Sequence, residues 1–503
     1  MKRRQFIKSG AGIALTAGAA FLGHRYGRTA ASAAVMTKRE LPIPKLLEFN
    51  DSPIELSMDN GSWEILPGIK TPTRGFNGPI LGPTLRVRDG QDVPITYRNR
   101  LAEPVAIHAH GLHIPGELDG GPQRQIEPES HWSLELPIRQ QACTSWYHPH
   151  THGRTGAQTY SGLAGMIIID DENSDSLPLP RNYGIDDIPL VVQDRTIDYR
   201  GQLDYSLEDA EDGFMGETLV VNGIANAKKS VPAGLVRLRV LNGSNARYYR
   251  FGFSDNRVFH SIATDGGFLQ EPVPLREIIL LPGERSELLV DFSDGRAVSL
   301  VSGRYGRSPT GSDRRRGERR NDREPGGMAE TFEILEVSVD TRLPAHRTAL
   351  PRQLNNIARP TLSSDWPVRR FSLFMEGDRR RRGLFGDQRR NHSEMKMGIN
   401  GQPVNMRVIN ERVKRWQWER WIVQSYDGSH PFHVHGCSFL VLAQEGRPVA
   451  DENAGWKDTV RVDDTAEFIV KFDHGATEEY PYMYHCHILE HEDRGMMGQF
   501  TVT

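Results

Sequence analysis

Residues 484–497 read YHCHILEHEDRGMM, and hold three histidines, two methionines and one of the three cysteines of a 503-residue chain. Imidazole and soft sulfur donors gathered this tightly are metal ligands by type. The same residue type clusters in three other places: HAHG (108–111), HPH (148–150) and HPFHVHG (430–436). Ten of the 18 histidines lie in these four stretches, two toward the N-terminal end and two toward the C-terminal end. His260, between them, stands alone and reads as an ordinary core or surface histidine.

Each cluster contains an H-x-H. On a strand, successive side chains alternate, so both histidines of such a pair face one side. Four pairs supply eight rings: His108, His110, His148, His150, His433, His435, His485 and His487. One metal does not take eight imidazoles, so the pairs predict a multinuclear cluster where the first and last parts of the chain meet. Cys486, between two of these rings, must then point the opposite way, toward His430, His491 and Met496. Two histidines, a thiolate and a weak axial methionine are the donor set of an electron-transfer copper. A structural zinc would need neither the methionine nor eight further rings.

Strands must position these pairs, and alternating apolar residues bounded by turn signals recur throughout. LRVRDGQDVPITYRNRL (85–101), LVRLRVLNGSNARYYRFGFS (235–254) and ERWIVQSYDGSHPFHVHG (419–436) each read as a strand pair. A longer repeat joins them. GFNG (75–78), VVNG (220–223) and GINGQ (398–402) precede alternating regions, and LAGMIIID (163–170), RSELLVDF (285–292) and AEFIVKF (466–472) close them. The 49 glycines and 31 prolines suit an all-β chain. The pattern predicts three β-sandwich domains over residues 45–175, 185–340 and 365–503, with linkers at 171–184 and between Thr341 and Pro367. Two Arg-rich stretches, 313–327 and 378–391, read as solvated loops.

The first 33 residues are set apart. Arg3-Arg4 before Phe6, Ile7 and Lys8, a short weakly apolar run, and ASA at 31–33 resemble a twin-arginine export signal. The expectation is passage, already folded, to the periplasm through the twin-arginine machinery. Removing residues 1–33 takes away Lys2, Arg3, Arg4, Lys8, Arg25 and Arg28 and no acid, so the formal charge goes from −3 to −9. That balance speaks against nucleic acid as a partner, and no later segment reads as a membrane span. Cys143 and Cys437 are expected to be two buried thiols rather than a bridge.

On these motifs the chain resembles the three-domain bacterial multicopper oxidases, in particular the periplasmic copper-efflux oxidases and bacterial laccases. The stretches that carry the likeness are HAHGLHIPGELDGGPQ, WYHPHTHGRTGAQTYSGLAG, HPFHVHGCSFLVL and HCHILEHEDRGMM, with GWKDTV (455–460) beside them. The resemblance implies cupredoxin-like Greek-key domains and four copper ions, with no copper in the middle domain. His108 and His433 would hold the type 2 ion. His110, His148, His150, His435, His485 and His487 would hold the type 3 pair. His430, Cys486, His491 and axial Met496 would hold type 1.

The resemblance also implies an enzyme, a laccase-like oxidase and a monomer. Single electrons from a small reductant would enter at an exposed imidazole edge of His430 or His491. They would pass through Cys486 and reduce dioxygen to two waters, with Asp119 and Glu492 carrying protons or holding ligand rings. The family's methionine-rich insert is replaced here by 378–391, with only Met395 and Met397 nearby, and SYDGS precedes His430 without a methionine. Phenols or aromatic amines are therefore expected ahead of Cu(I) as the reductant. The other readings on this scaffold are a cuprous-ion oxidase in periplasmic copper tolerance, and a non-catalytic periplasmic cell-division or copper-binding protein. The retention of all twelve ligand positions weighs against the cell-division reading, whose relative on this scaffold has lost its copper ligands, and blue-copper wiring has no purpose in mere copper storage.

Overall fold

The alternating stretches fold as strands, and among the described residues the helices are short, the longest being Thr155–Tyr160. The structure is a computed structural model, describing residues 37–205, 213–303, 331–346, 349–376 and 396–503. The export signal and both Arg-rich stretches lie outside the described residues. Among the described residues no helix is long and apolar enough to cross a membrane.

Within Arg39–Thr503 the strands form six sheets that face one another in pairs around three cores. In the first pair, one sheet runs Leu46–Glu48, Thr84–Arg88, Gly165–Asp170, Cys143–Pro149, Ile107–His110. The facing sheet runs Thr71–Phe76, Ile54–Trp63, Asp92–Asn99, His131–Pro137. Leu56, Val93 and Ile95 of the second sheet pack with Leu85, Ile107 and Ile167 of the first. This is the alternation of a β-sandwich, apolar toward the partner sheet and polar outward. The middle pair is built likewise around Leu190, Leu238, Phe251 and Leu335, and the last around Trp421, Phe432, Phe468 and Tyr484.

The three pairs repeat one pattern. Ile54–Trp63 pairs antiparallel with Thr71–Phe76 and parallel with Asp92–Asn99. Asp187–Arg195 does the same with Thr218–Val221 and Leu235–Asn242. Val368–Glu376 does it with Lys396–Ile399 and Glu419–Ser425. The all-β expectation holds, but two details are corrected. The three strand pairs read from sequence are not hairpins. Thr84–Arg88 and Asp92–Asn99 lie in different sheets, as do Leu235–Asn242 and Tyr249–Phe253, and Glu419–Ser425 and His430–Val434. Alternation marks a half-buried strand whether its neighbour in sequence pairs with it or faces it across the core. The closing strand of the first repeat was also misplaced. Arg285–Asp291 and Thr465–Val470 occupy the position that His131–Pro137 takes in the first pair, whereas Gly165–Asp170 belongs to the opposite sheet.

The last pair carries two of the histidine clusters, and Trp421 is its hub. The ring is fully buried, surrounded by Phe371, Phe468, Phe472, Tyr484 and Phe500. Its indole N–H donates to Glu419 Oε2 at 2.8 Å. Trp421→Ala should cost about 3–5 kcal/mol, because the cavity cannot collapse among rigid rings. Leu362→Ala, at a side chain that is 58% exposed, should stay within about 0.5 kcal/mol. Chemical denaturation of the two variants beside the parent measures the difference.

Candidate metal centre

Two strand pairings create the cluster. Ile107–His110 runs antiparallel to Cys143–Pro149 with His108 opposite His148. His430–Val434 runs antiparallel to Tyr482–Cys486 with His433 opposite His485 and Phe432 opposite Cys486. The pleat therefore puts His433 and His485 on one face and turns Cys486 to the other. Rings from the first and last sheet pairs then interleave: His108 stacks on His435, and His110 on His433, each with centroids 3.8 Å apart. All eight paired rings are buried.

The hydrogen bonds fix which nitrogen looks inward. The Nδ1 of His108 lies 2.9 Å from the Asp119 carbonyl, that of His148 2.8 Å from the Pro149 carbonyl, and that of His433 2.8 Å from the Asp458 carbonyl. His435 Nδ1 meets Asp119 Oδ2 at 2.7 Å, and His485 Nδ1 meets the Cys486 carbonyl at 3.0 Å. These oxygens only accept, so each Nδ1 carries the proton and, in a neutral ring, Nε2 is a bare lone pair. His435 Nε2 and His485 Nε2 nevertheless face each other at 3.1 Å, with His150 Nε2 3.3 Å from the latter. Opposed lone pairs repel unless a cation sits between them. His110 is turned the other way, with Nε2 3.1 Å from Asp458 Oδ1. Its Nδ1, and Nε2 of His108, His148 and His433, are buried without a hydrogen-bond partner among the described residues. Leaving such atoms unpaired costs about 1–3 kcal/mol each. The donor set fits bound metal.

The second site lies behind the strand. His430 Nδ1 is 3.4 Å from Cys486 Sγ, Cys486 Sγ is 3.6 Å from His491 Nδ1, and the two nitrogens are 3.3 Å apart. Donors about 2.0–2.3 Å from one ion stand about 3.3–3.7 Å apart, so the triangle has the size of a coordination sphere. Met496 is buried in the same core as Cys486 and accepts the Cys486 N–H at its carbonyl, 3.0 Å away. The segment from Leu489 to Asp493 is helical and delivers His491 to this site. Cys143 and Cys437 are free, buried thiols.

The two carboxylates singled out from sequence are both fully buried. Asp119 holds His435 and lies 3.4 Å from His108 Nδ1. Glu492 lies 3.3 Å from both His150 Nδ1 and His485 Nδ1, and accepts from Thr155 Oγ1 at 2.7 Å. Burial, and then the neighbouring Asp493, push the Glu492 carboxyl well above the usual range. Sequence reasoning quoted GWKDTV but gave Asp458 no role. Its carboxylate meets His110 and stands 3.6 Å from His433 Nδ1. Burial is the largest single influence and would raise its pKa; the Arg285 guanidinium together with the contacts to His110 and His433 outweighs it and holds the carboxyl well below the ordinary value. Gly111, which ends the first H-x-H, has φ +80°, and a Cβ there would come within 2.7 Å of Arg285 and of Asp458. The glycine of that motif thus serves both the turn and the clearance.

The geometry is that of a cupredoxin-like assembly with two metal-binding donor sets, and the comparisons with known proteins agree on the scaffold. The chain matches the multicopper oxidase family over residues 57–174 and again over 380–503. The chain belongs to the multidomain bacterial multicopper oxidase family. Cell division protein FtsP of Dickeya dadantii is 40% identical over 502 residues, covering 99% of this chain and 98% of its own. FtsP of Escherichia coli is 38% identical over 504 residues, covering 100% and 99%. Among solved structures, a laccase-like CueO from Ochrobactrum sp., described as having oxidase activity towards lignin model compounds, matches at TM-score 0.81 and 36% identity. It covers 92% of this chain and 100% of that one. McoA of Aquifex aeolicus matches at TM-score 0.78 and 30% identity, covering 93% and 100%.

These relatives overturn the expected activity. Curated relatives that match this chain from end to end at 38–40% identity are named for cell division, so the expectation of a laccase-like oxidase, and of an enzyme, is corrected. One structural expectation falls with it. No imidazole edge of His430 or His491 is exposed, since both rings are fully buried. The ligand types specify what the scaffold can hold; they do not specify access for a reductant.

Burial pushes the pKa of His110, His148, His150, His435, His485 and His487 well below 6.5. In the unfolded chain these rings take protons near pH 6.5, which the folded rings refuse. Metal-free protein should therefore lose stability as pH falls from 7 toward 5, by up to about 1.4 kcal/mol per pH unit for each ring. Denaturant midpoints across that range measure the slope, and a flat profile would contradict the burial.

Proposed function

We propose that this chain is a periplasmic cell-division protein, exported by the twin-arginine route, whose scaffold also holds copper without serving as an oxidase. The observation that carries the division role is its end-to-end likeness to FtsP at 38–40% identity. The domains are taken as 45–175, 185–340 and 365–503. The copper set follows the donors: one ion at His430, Cys486, His491 and Met496, and one at His108 and His433. A pair would lie among His110, His148, His150, His435, His485 and His487. Opposed lone pairs and unpartnered ring nitrogens support that assignment. Copper held there would be a one-electron centre, and it would cross-link the first and last domains because rings from both share the cluster. The burial of His430 and His491 supports a non-catalytic reading.

Deleting the gene should lengthen cells by delaying septation, and expression of either the parent chain or Cys486→Ser should restore normal length. Purified parent protein should be blue and Cys486→Ser colourless, with dioxygen uptake from a phenolic donor at the same background rate in both. Normal septation in the deletion strain would overturn the division role. Restoration by the parent alone, together with uptake above background, would overturn the non-catalytic one.

A further inference from the structure

The middle sheet pair supplies no histidine to the cluster, yet one of its turns reaches it. We infer that the turn from Leu281 to Arg285 positions the cluster from outside, with Arg285 as the positioning residue; this rests on the reading that the eight rings hold copper. Arg285 is fully buried and uses all five of its side-chain N–H groups. Nε donates to the Thr144 carbonyl of the first sheet pair at 2.9 Å. Nη1 donates to the Gly283 carbonyl at 3.1 Å, and Nη2 to the Asp265 carbonyl at 2.9 Å, both in the middle. Nη1 and Nη2 together grip Asp458 of the last sheet pair, at 2.8 and 2.7 Å. One guanidinium thus fixes where Asp458 stands relative to all three.

Asp458 passes that placement to the rings. Its Oδ1 lies 3.1 Å from His110 Nε2, which makes His110 the ring that turns Nδ1 inward, and its carbonyl accepts from His433 Nδ1 at 2.8 Å. Thr459 Oγ1 donates to the same Oδ1 at 2.9 Å, closing the carboxylate's remaining freedom. A second contact comes from Gly283. Its φ is +84°, and a Cβ there would lie 2.7 Å from the His487 ring, so the turn's bare backbone forms a wall against a third cluster ring. Lysine at position 285 keeps the charge but not the fork, and cannot hold both Asp458 oxygens and three carbonyls at once.

Arg239 provides the control. It is equally buried and also crosses from the middle pair to the first, through Thr144 Oγ1 at 2.9 Å. Its carboxylate partners are Asp187 and Glu287, which touch no cluster ring. Copper affinity of the full chain is read by competition with a chelator, beside the electron paramagnetic resonance spectrum of bound Cu(II) and the thermal midpoint. Arg285→Lys should weaken copper at the histidine cluster by about 10–100-fold and shift the hyperfine splitting of the His108/His433 ion. Arg239→Lys should lower the midpoint while leaving affinity and spectrum at parent values. If Arg285→Lys matches Arg239→Lys in affinity and spectrum, the positioning role is overturned and the copper reading stands. If the parent takes up no copper at the cluster, the copper reading itself fails.

Discussion

The grip of Arg285 on Asp458 is the contact on which the rest of the structure depends. A buried ion pair is weak grounds for stability, because removing two charges from water costs about what their attraction returns. It is strong grounds for geometry. Here both carboxylate oxygens and all five guanidinium donors are satisfied, in a place where the three sheet pairs meet. Breaking it would strand a charge in a dry interior, at about 3–5 kcal/mol. The pair therefore has one permitted arrangement, and that arrangement sets the orientation of His110 and the register of His433.

From that constraint the cluster follows in steps. Pleating delivers rings two at a time, the antiparallel register puts His108 beside His148 and His433 beside His485, and carbonyls and carboxylates behind six of the eight rings fix their tautomers. The outcome is a pair of lone pairs, on His435 and His485, aimed at one another across 3.1 Å. Such a set is unfavourable alone and favourable around cations, so metal binding and the docking of the first and last sheet pairs are one equilibrium.

Much of this was legible in the chain itself. Period-two alternation gave the strands, and the same rule turned Cys486 away from His485 and His487. What alternation does not carry is pairing, so adjacent strands such as Thr84–Arg88 and Asp92–Asn99 read as a strand pair while lying in opposite sheets. Arg285 and Asp458 were illegible for a related reason: they are 173 residues apart, and no local pattern announces a partner at that distance. The burial of His430 and His491 is likewise a tertiary property. Activity was the least legible of all. Twelve donors describe a container for copper, and the scaffold around it is shared with proteins named for oxidation and proteins named for division.

The most direct test of this account is the location of copper in crystals of the copper-loaded protein, read by anomalous scattering at the copper edge. The account predicts density in two places: among the inward-facing ring nitrogens of the eight paired histidines, and within the triangle of His430, Cys486 and His491. Copper confined to surface histidines, with both of those places empty, would contradict it.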